Sequence, residues 1–323
     1  LNATGDRSVA IYAENGTNAQ NLGSITIGNK GGGIYAISSQ DLLGSSGFGD
    51  SGVIVKNSGT ITSIGGSGSI GIYADNNAGV ASPASLDLAT GVINLGASDK
   101  AVGVYANQMN ITGGGTITVG SNGVGLYANN SNTVLSNLTM NLNGDNALGY
   151  YIDGDNSSFS GTGTINISGQ NVVLFSINSA SSTVDFSGIS IGAEAPGSTY
   201  IVGNLINGKL LYNSNSVLKT NGILLNGKNT NVVLGTSSNI TASSGETGIV
   251  AVSLDGQYAG AAPYTPGIDG QNNGTINLGD SSAGLYGKNG ARLENTNIVT
   301  VGNSSIGMSS SDAGSLIKNR RHI

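Results

Sequence analysis

The chain contains 323 residues, of which 54 are glycine, and its formal net charge is -6. It has no Cys, no Trp and a single His near its C-terminal end. These counts exclude thiol nucleophiles, disulfides, thiolate metal sites, His-based catalytic triads and His-rich metal sites. A sequence pI of about 4.6 offers no electrostatic basis for binding nucleic acid or an anionic membrane surface.

The Gly-rich composition does not indicate disorder. Hydrophobic residues make up 37% of the chain and charged residues only 9%, whereas disordered chains combine low hydrophobicity with high charge. The apolar residues are mostly Ile, Val and Leu, which favour strands. No apolar run is long enough to cross a bilayer as a helix. Because the sequence begins without Met or a signal peptide, we expect it to be a segment of a longer chain.

Two short motifs alternate along the chain. The first, G-[IVL]-Y-A, has clear copies at Tyr12, Tyr35, Tyr73, Tyr105, Tyr127, Tyr151 and Tyr286, and we assign degenerate copies to Phe175, Leu224, Val250 and Met308. The second, G-T-I-x-[ILV]-G, occurs at 23–28, 59–65, 91–96, 115–120, 163–169 and 274–279. Uninterrupted copies of the first motif lie 22 to 24 residues apart. This regular spacing indicates a repeat architecture.

A repeat of 22 to 26 residues has room for two or three short strands but not for an ordinary helix beside them. It predicts an all-β fold, a right-handed parallel β-helix (β-solenoid) of about a dozen coils. Strand alternation places Val102, Val104 and Ala106 inside and Tyr105 outside, with Thr and many Asn also outside. Gly and Asn are expected at the corners because they adopt left-handed backbone conformations most easily.

The repeat predicts a single continuous β-helix over residues 1–317. Three insertions interrupt it, near 38–56, 76–90 and 253–273. Residues 318–323 form a basic tail that contains Lys318, Arg320, Arg321 and His322 and that is either a junction or a functional segment.

Two groups of residues are candidates for a binding surface. If the coils stack in register, Tyr73, Tyr105, Tyr127 and Tyr151 form an outward ladder that either binds sugars or a protein partner, or only stabilises the solenoid. The third insertion supplies Asp255, Tyr258, Tyr264 and Asp269, and either binds a partner or is a plain protruding loop.

Other functional patterns are weaker. Thr60/Thr62 and Thr116/Thr118 resemble the T-x-T arrays of ice-binding β-helices, but the equivalent residues elsewhere include Asn and Val. Polysaccharide-cleaving β-helices need clustered carboxylates, whereas the 18 acidic residues here are scattered. The calcium-binding G-G-x-G-x-D nonapeptide is absent. We therefore expect no catalytic residues, no cofactor and no metal site.

The repeats resemble a known family. Residues 57–61 (NSGTI) and 272–279 (NNGTINLG), together with GIYADN and GLYANN, are similar to passenger domains of type V autotransporters, especially the very large outer-membrane adhesins of fusobacteria. The resemblance implies surface display on a Gram-negative bacterium, with attachment to the outer membrane through a C-terminal β-barrel that this sequence lacks. No catalytic motif of the family matches any position, so no functional residue is carried over.

These observations predict a non-catalytic adhesin segment. It would attach to a host or bacterial surface protein or glycan, or serve as the rigid stalk of a binding tip. One alternative is a self-associating rod for cell aggregation or biofilm formation, in which Asn/Thr-rich faces pair laterally. A second alternative is a polysaccharide-degrading β-helix enzyme.

Overall fold

The computed structural model describes residues 1–38, 52–76, 84–179, 182–213, 215–218, 222–242, 246–260 and 263–320. Within these residues the secondary structure consists of strands, with no helix. The strands pair in parallel with the equivalent strands of the preceding and following coils. The chain is therefore a parallel β-solenoid, as its repeat predicts.

The first sheet contains twelve strands in the described part of the chain. They are Val9–Glu14, Gly32–Ser38, Ile70–Asn76, Val102–Asn107, Val124–Asn129, Leu148–Asp153, Val172–Asn178, Tyr200–Ile206, Ile223–Lys228, Val250–Asp255, Ala283–Lys288 and Ile306–Ser310. This order is also the chain order, so each coil adds one strand to the growing edge of the sheet.

Two further sheets complete each coil. The second contains Asn18–Asn21, Ile54–Asn57, Ser85–Asp87, Thr183–Asp185, Lys209–Tyr212, Asn231–Leu234, Gly270–Asn272, Arg292–Asn295 and Leu316–Asn319. The third contains Asn2–Ala3, Ser24–Ile27, Thr60–Ser63, Val92–Leu95 and Gly188–Glu194. In the later coils its place is taken by a separate four-stranded sheet of Asn215–Leu218, Asn239–Ala242, Thr275–Asn277 and Ile298–Thr300. Three long strands, Asn110–Val119, Asn132–Leu142 and Ser158–Ile167, belong to both sheets. The short strands Gly66–Ser67 and Ser98–Asp99 pair at a corner.

The core consists of aliphatic columns that run along the solenoid. In the third sheet Ile25, Ile61, Ile93 and Ile117 occupy successive coils in register, and each is at most 1% exposed. Each coil thus buries its own apolar residues and the next coil covers them, which is the main stabilising contribution in a solenoid.

Simple alternation fails at the start of the first-sheet strands. Gly103 and Val104 both face the interior, and Val102 lies half-exposed on the outside, so the predicted inward position of Val102 is wrong. A Cβ atom at Gly103 would lie 2.5 Å from the Gly125 carbonyl oxygen and 2.6 Å from Ile117 Cγ2. Only glycine fits there, and the two consecutive inward residues shift the strand out of strict alternation.

The degenerate copies of the first motif are also misplaced. Phe175 pairs with Tyr150, whereas the residue in register with Tyr151 is Ser176. The true equivalents of the motif tyrosine in the later coils are Ser176, Asn204, Asn226, Ser253 and Ser309, rather than Phe175, Leu224, Val250 and Met308. The error is one residue at Phe175 and Met308, which reverses the face on which a side chain lies, and it is two residues at Leu224 and three at Val250. Matching apolar residue types therefore gave the wrong register.

Several asparagines lie inside the solenoid, while many others face outward as predicted. Asn21 Nδ2 donates to Asn57 Oδ1 at 2.8 Å, and Asn272 Nδ2 donates to Asn295 Oδ1 at 2.8 Å. Asn21 Oδ1 also accepts the Gly23 N–H at 3.2 Å, within the turn that leaves the second sheet. These amides satisfy turn backbone groups and link successive coils, which offsets much of the cost of burying them, although Asn57 Nδ2 has no hydrogen-bond partner in the described part of the chain.

The corners follow the prediction for asparagine. Asn130, Asn207, Asn229 and Asn289 all have positive φ angles, between 45° and 62°. Lys30 and Lys100 adopt the same conformation with φ angles of 53° and 51°, so the corners also accept larger side chains.

The predicted insertions are shorter than expected, because Ile54–Asn57 and Ser85–Asp87 are strands of the second sheet. Residues 39–51 and 77–83 lie outside the described residues.

The predicted boundary of the C-terminal basic tail is corrected too, since the final strand is Leu316–Asn319 and Lys318 pairs in register with Glu294. Arg320 Nε lies 3.1 Å from Glu294 Oε2. Arg321 and His322 lie outside the described residues.

Candidate binding surface

The outward tyrosines of the first sheet form a ladder. Parallel register places Tyr12, Tyr35, Tyr73, Tyr105 and Tyr127 on successive coils. Neighbouring ring centroids lie 5.8, 4.5, 4.7 and 5.1 Å apart, and the rings are within 10° of parallel. The predicted outward position and stacking of Tyr73, Tyr105 and Tyr127 are confirmed. We call this series, with Tyr151 and the equivalent residues of later coils, the tyrosine column.

Stacking determines which part of each ring is available. The faces of Tyr35, Tyr73 and Tyr105 are directed at their neighbours in the ladder, so the ring edges are the parts left for another molecule to contact. Tyr151 breaks the series, because its ring meets Tyr127 at 80° with a centroid distance of 4.7 Å. A sugar ring that stacks on an aromatic face would therefore have to displace a neighbouring tyrosine in the regular part of the ladder.

Carboxylates accept hydrogen bonds from two of these phenols. The hydroxyl of Tyr73 donates to Asp75 Oδ2 at 3.1 Å, and that of Tyr127 donates to Asp153 Oδ2 at 2.7 Å. Burial raises the pKa of both tyrosines above the usual value, and the adjacent carboxylates raise it further. A phenol is already neutral at physiological pH, and the raised pKa keeps both groups protonated donors into more alkaline solution.

An aliphatic column runs beside the tyrosine column, on the same outer face. It contains Val9, Ile70, Val102, Val124, Leu148, Val173, Ile201, Ile223, Val250 and Ile306. Most members are half-exposed, and Val9, Ile223 and Ile306 are 43%, 38% and 53% exposed. Sequence analysis missed this column, because strict strand alternation assigns these positions to the interior. The inward glycine that follows many of them, as at Gly71 and Gly103, is the sequence signal that reveals it.

A third column lies two residues after the tyrosine column and carries most of the charge on this face. Its charged members are Glu14, Asp75, Asp153, Lys228, Asp255 and Lys288. Asp255 Oδ2 lies 3.2 Å from Lys288 Nζ, and Asp255 Oδ1 accepts a hydrogen bond from Asn289 at 2.6 Å. The hydrogen bond from Asn289 is the largest cause that lowers the Asp255 pKa, and Lys288 adds to it. Asp255, predicted as part of the third insertion, thus belongs to the same face as the tyrosines.

The third insertion packs against the second sheet. Asp269 is 0% exposed, and Arg292 binds both of its carboxylate oxygens, with Nε 2.9 Å from Oδ2 and the second guanidinium nitrogen 2.7 Å from Oδ1. The backbone N–H groups of Tyr258 and Arg292 also donate to this carboxylate, at 2.9 and 2.8 Å. Asp269 therefore lies beneath the surface and anchors the insertion, so a docked partner cannot reach it without local opening.

The two tyrosines of this insertion differ in exposure. Tyr258 is only 7% exposed, whereas Tyr264 is 36% exposed. The Tyr264 N–H donates to Asn231 Oδ1 at 2.7 Å, and the Lys209 Nζ lies 5.6 Å from the centroid of its ring. Burial raises the Tyr264 pKa to about 12. Tyr264 is the exposed aromatic group of this insertion, and it lies beside the second sheet rather than on the tyrosine column.

Two open polar cavities, of about 430 and 550 Å³, meet at the corner that follows the first sheet. They share Asn130 and Asn156, and Asn, Gln, Ser and Asp side chains form most of their lining.

In the described part of the chain, no group of three or more His, Asp or Glu residues is arranged to hold a metal ion. None of the described elements is a helix long and apolar enough to cross a membrane.

Comparisons with protein-family models, with curated proteins and with solved structures gave no match for this chain. The function is therefore inferred from the geometry of the solenoid surface and from the resemblance of the repeats.

Proposed function

We propose that this chain is a non-catalytic adhesion segment, exported and displayed on the surface of a Gram-negative bacterium as part of an autotransporter passenger. The outer face of the first sheet supports this proposal most directly. It carries an aliphatic column and a tyrosine column side by side, and an extended apolar strip on a protein surface is typical of a binding interface. A rigid solenoid presents such a strip without the entropic cost of ordering a loop.

The geometry favours a protein partner over a glycan at this face. Sugar binding by aromatic residues uses the ring faces, and in the ladder those faces contact neighbouring rings. Ring edges, phenol hydroxyls and aliphatic side chains instead match the apolar centre and polar rim of a protein interface. The Asn-lined cavities at the adjacent corner are the better candidates for a hydroxyl-rich ligand.

A matched pair of variants separates the two predicted surfaces. The purified protein is labelled and its binding to a panel of bacterial and host cells is measured, alongside a glycan array. We expect Tyr105→Ser to reduce cell binding at least about tenfold, as loss of a central aromatic contact does. Tyr264→Ser, which makes the same change in the third insertion, should leave cell binding unaltered.

The contrary results are equally clear. If only Tyr264→Ser reduces adhesion, the third insertion is the binding element and the tyrosine column is structural. If the unaltered protein binds no cell type and no glycan, the segment is not itself adhesive, and a stalk role replaces the proposal.

A further inference from the structure

We infer that the outer face of the first sheet pairs with the same face of a second copy of this chain, in an antiparallel, two-fold symmetric dimer. We call this surface the first-sheet face; it consists of the aliphatic, tyrosine and third columns described above. The inference specifies a partner for the face on which the proposed adhesive function rests. It also locates self-association on a different surface from the Asn/Thr-rich faces considered from the sequence.

The face is large enough for a stable dimer. Its twelve strands at about 4.8 Å spacing give a length of roughly 53 Å, and its three columns span roughly 15 Å. Each copy would bury roughly 800 Å², or about 1,600 Å² in total, which is the usual size of a specific protein interface. The aliphatic column continues through both halves of this length, so either half can contribute an apolar contact.

Side-chain size differs between the two halves of the tyrosine column. All six positions in the first half are tyrosines, from Tyr12 to Tyr151. The second half contains Ser176, Asn204, Asn226, Ser253, Tyr286 and Ser309. The first half is therefore a ridge of rings and the second half is mostly a shallow trough of small residues.

Charge differs between the same halves. In the third column the first half carries Glu14, Asp75 and Asp153 and no cation, whereas the second half carries Lys228 and Lys288 with Asp255. One half of the face is acidic and the other has a slight excess of positive charge. Complementary charge favours an encounter in which opposite halves meet.

An antiparallel pairing matches both differences at once. A two-fold axis across the centre of the face, between Tyr151 and Ser176, turns each column onto the same column of the partner and reverses its direction. The tyrosine ridge then meets the trough, with Tyr73 opposite the partner's Ser253 and Tyr105 opposite the partner's Asn226. The acidic half as a whole meets the lysine half, although Asp75 lies opposite the partner's Asp255, between the positions of the partner's Lys228 and the partner's Lys288. Tyr35 meets the partner's Tyr286, the one ring in the trough, and the aliphatic columns face each other. A parallel pairing would instead set ridge against ridge.

Sedimentation measurements test the dimer directly. We expect sedimentation velocity to show a monomer–dimer equilibrium for the unaltered protein. The double variant Val124→Asp/Val173→Asp places carboxylates near the centre of the face and should raise the dimer Kd at least about tenfold. Both residues are half-exposed, so we expect the fold to tolerate the change. Val134→Asp, on the outside of the second sheet, and Thr139→Asp, on the outside of the third, are the controls and should not alter the Kd.

A labelling experiment tests the orientation and needs no added charge. Because the chain has no Cys, a single introduced Cys takes a spin label at one known position. Labels on Ser309→Cys should lie about 53 Å apart in the antiparallel dimer, at its opposite ends. Labels on Ser176→Cys, beside the two-fold axis, should lie roughly 10–20 Å apart, which is about the separation of packed sheets plus the label arms.

Three results would overturn the inference. The first is that the unaltered protein stays monomeric at the highest attainable concentration. The second is that Val134→Asp or Thr139→Asp weakens the dimer as much as Val124→Asp/Val173→Asp does. The third is a short distance between labels on Ser309→Cys. Failure of the adhesive proposal is distinguishable in the unaltered protein. A protein that dimerises but binds no cell and no glycan contradicts adhesion alone, whereas a protein that binds cells as a monomer contradicts the dimer alone.

Discussion

Two aromatic arrangements in this solenoid, one outside and one inside, form by different rules. Outside, the rings of the tyrosine column from Tyr12 to Tyr127 lie within 10° of parallel because the coil spacing fixes their separation. Inside, the ring of Tyr150 meets Phe159 at 66° and Phe186 at 77°. Aromatic rings in a close-packed core adopt the angles that fill its volume. The ring orientation of a tyrosine is therefore set by the coil spacing on the surface and by the shape of the core in the interior.

The largest effect should come from the inner cluster. Phe186 is 1% exposed, and its ring centroid lies 4.7 Å from that of Phe159 and 4.4 Å from that of Phe175. Phe186→Ala should lower the free energy of unfolding by about 3–5 kcal/mol, because it leaves a cavity that neighbouring coils cannot fill. Urea denaturation followed by circular dichroism measures this loss. A loss below about 1 kcal/mol would show that the core relaxes around the cavity, whereas Phe186→Leu should cost visibly less than the alanine variant.

An alanine in the outer ladder should cost less. Tyr73 is half-exposed and stacks on Tyr35 and Tyr105, so Tyr73→Ala removes two ring contacts but little buried surface. We expect a loss of about 1–3 kcal/mol in the same denaturation experiment, from two pairs worth about 0.5–1.5 kcal/mol each. Near-ultraviolet circular dichroism should fall more than the loss of a single ring explains, because the stack is interrupted. A loss as large as that of Phe186→Ala would contradict the distinction between the two regions.

Removing a single hydroxyl group from each region should change the free energy of unfolding least, and the two changes should have opposite signs. The Tyr127 hydroxyl donates to Asp153, so Tyr127→Phe should lower the free energy of unfolding by about 0.5–1.5 kcal/mol. The Tyr150 hydroxyl is buried and has no hydrogen-bond partner in the described part of the chain. Tyr150→Phe should therefore raise stability by up to about 1 kcal/mol. Thermal unfolding of the two variants gives the signs side by side, and destabilisation by Tyr150→Phe would mean that its hydroxyl is satisfied in solution.

The fold could be predicted because individual motif residues recur at a regular spacing along the sequence. Regular spacing from Tyr105 to Tyr127 and from Tyr127 to Tyr151 leaves no room for a helix, and alternating Ile and Thr define strands. The outward tyrosine ladder follows from the same register. The later coils could not be aligned this way, because Ser176 and Asn226 share no chemistry with tyrosine and only strand pairing identifies them.

The candidate site was predicted only in part, for similar reasons. Tyr73, Tyr105, Tyr127 and Tyr151 were found because their motif repeats. Asp269 was included as a surface residue, although its buried position depends on Arg292, which lies 23 residues further along the chain. No local sequence pattern indicates that Asp269 forms an ion pair with a residue so far along the chain.

The sequence by itself determined the period, the strand class and the outward column of tyrosines, because each follows from local spacing and from the two-residue periodicity of a strand. Only the tertiary structure decided that Val102 and its equivalents face outward, that several asparagines lie inside, and that the third insertion is anchored by a buried ion pair. These outcomes depend on what the neighbouring coil places against each residue. Two consecutive inward residues near the start of each of these strands are enough to turn a predicted core column into an exposed apolar surface.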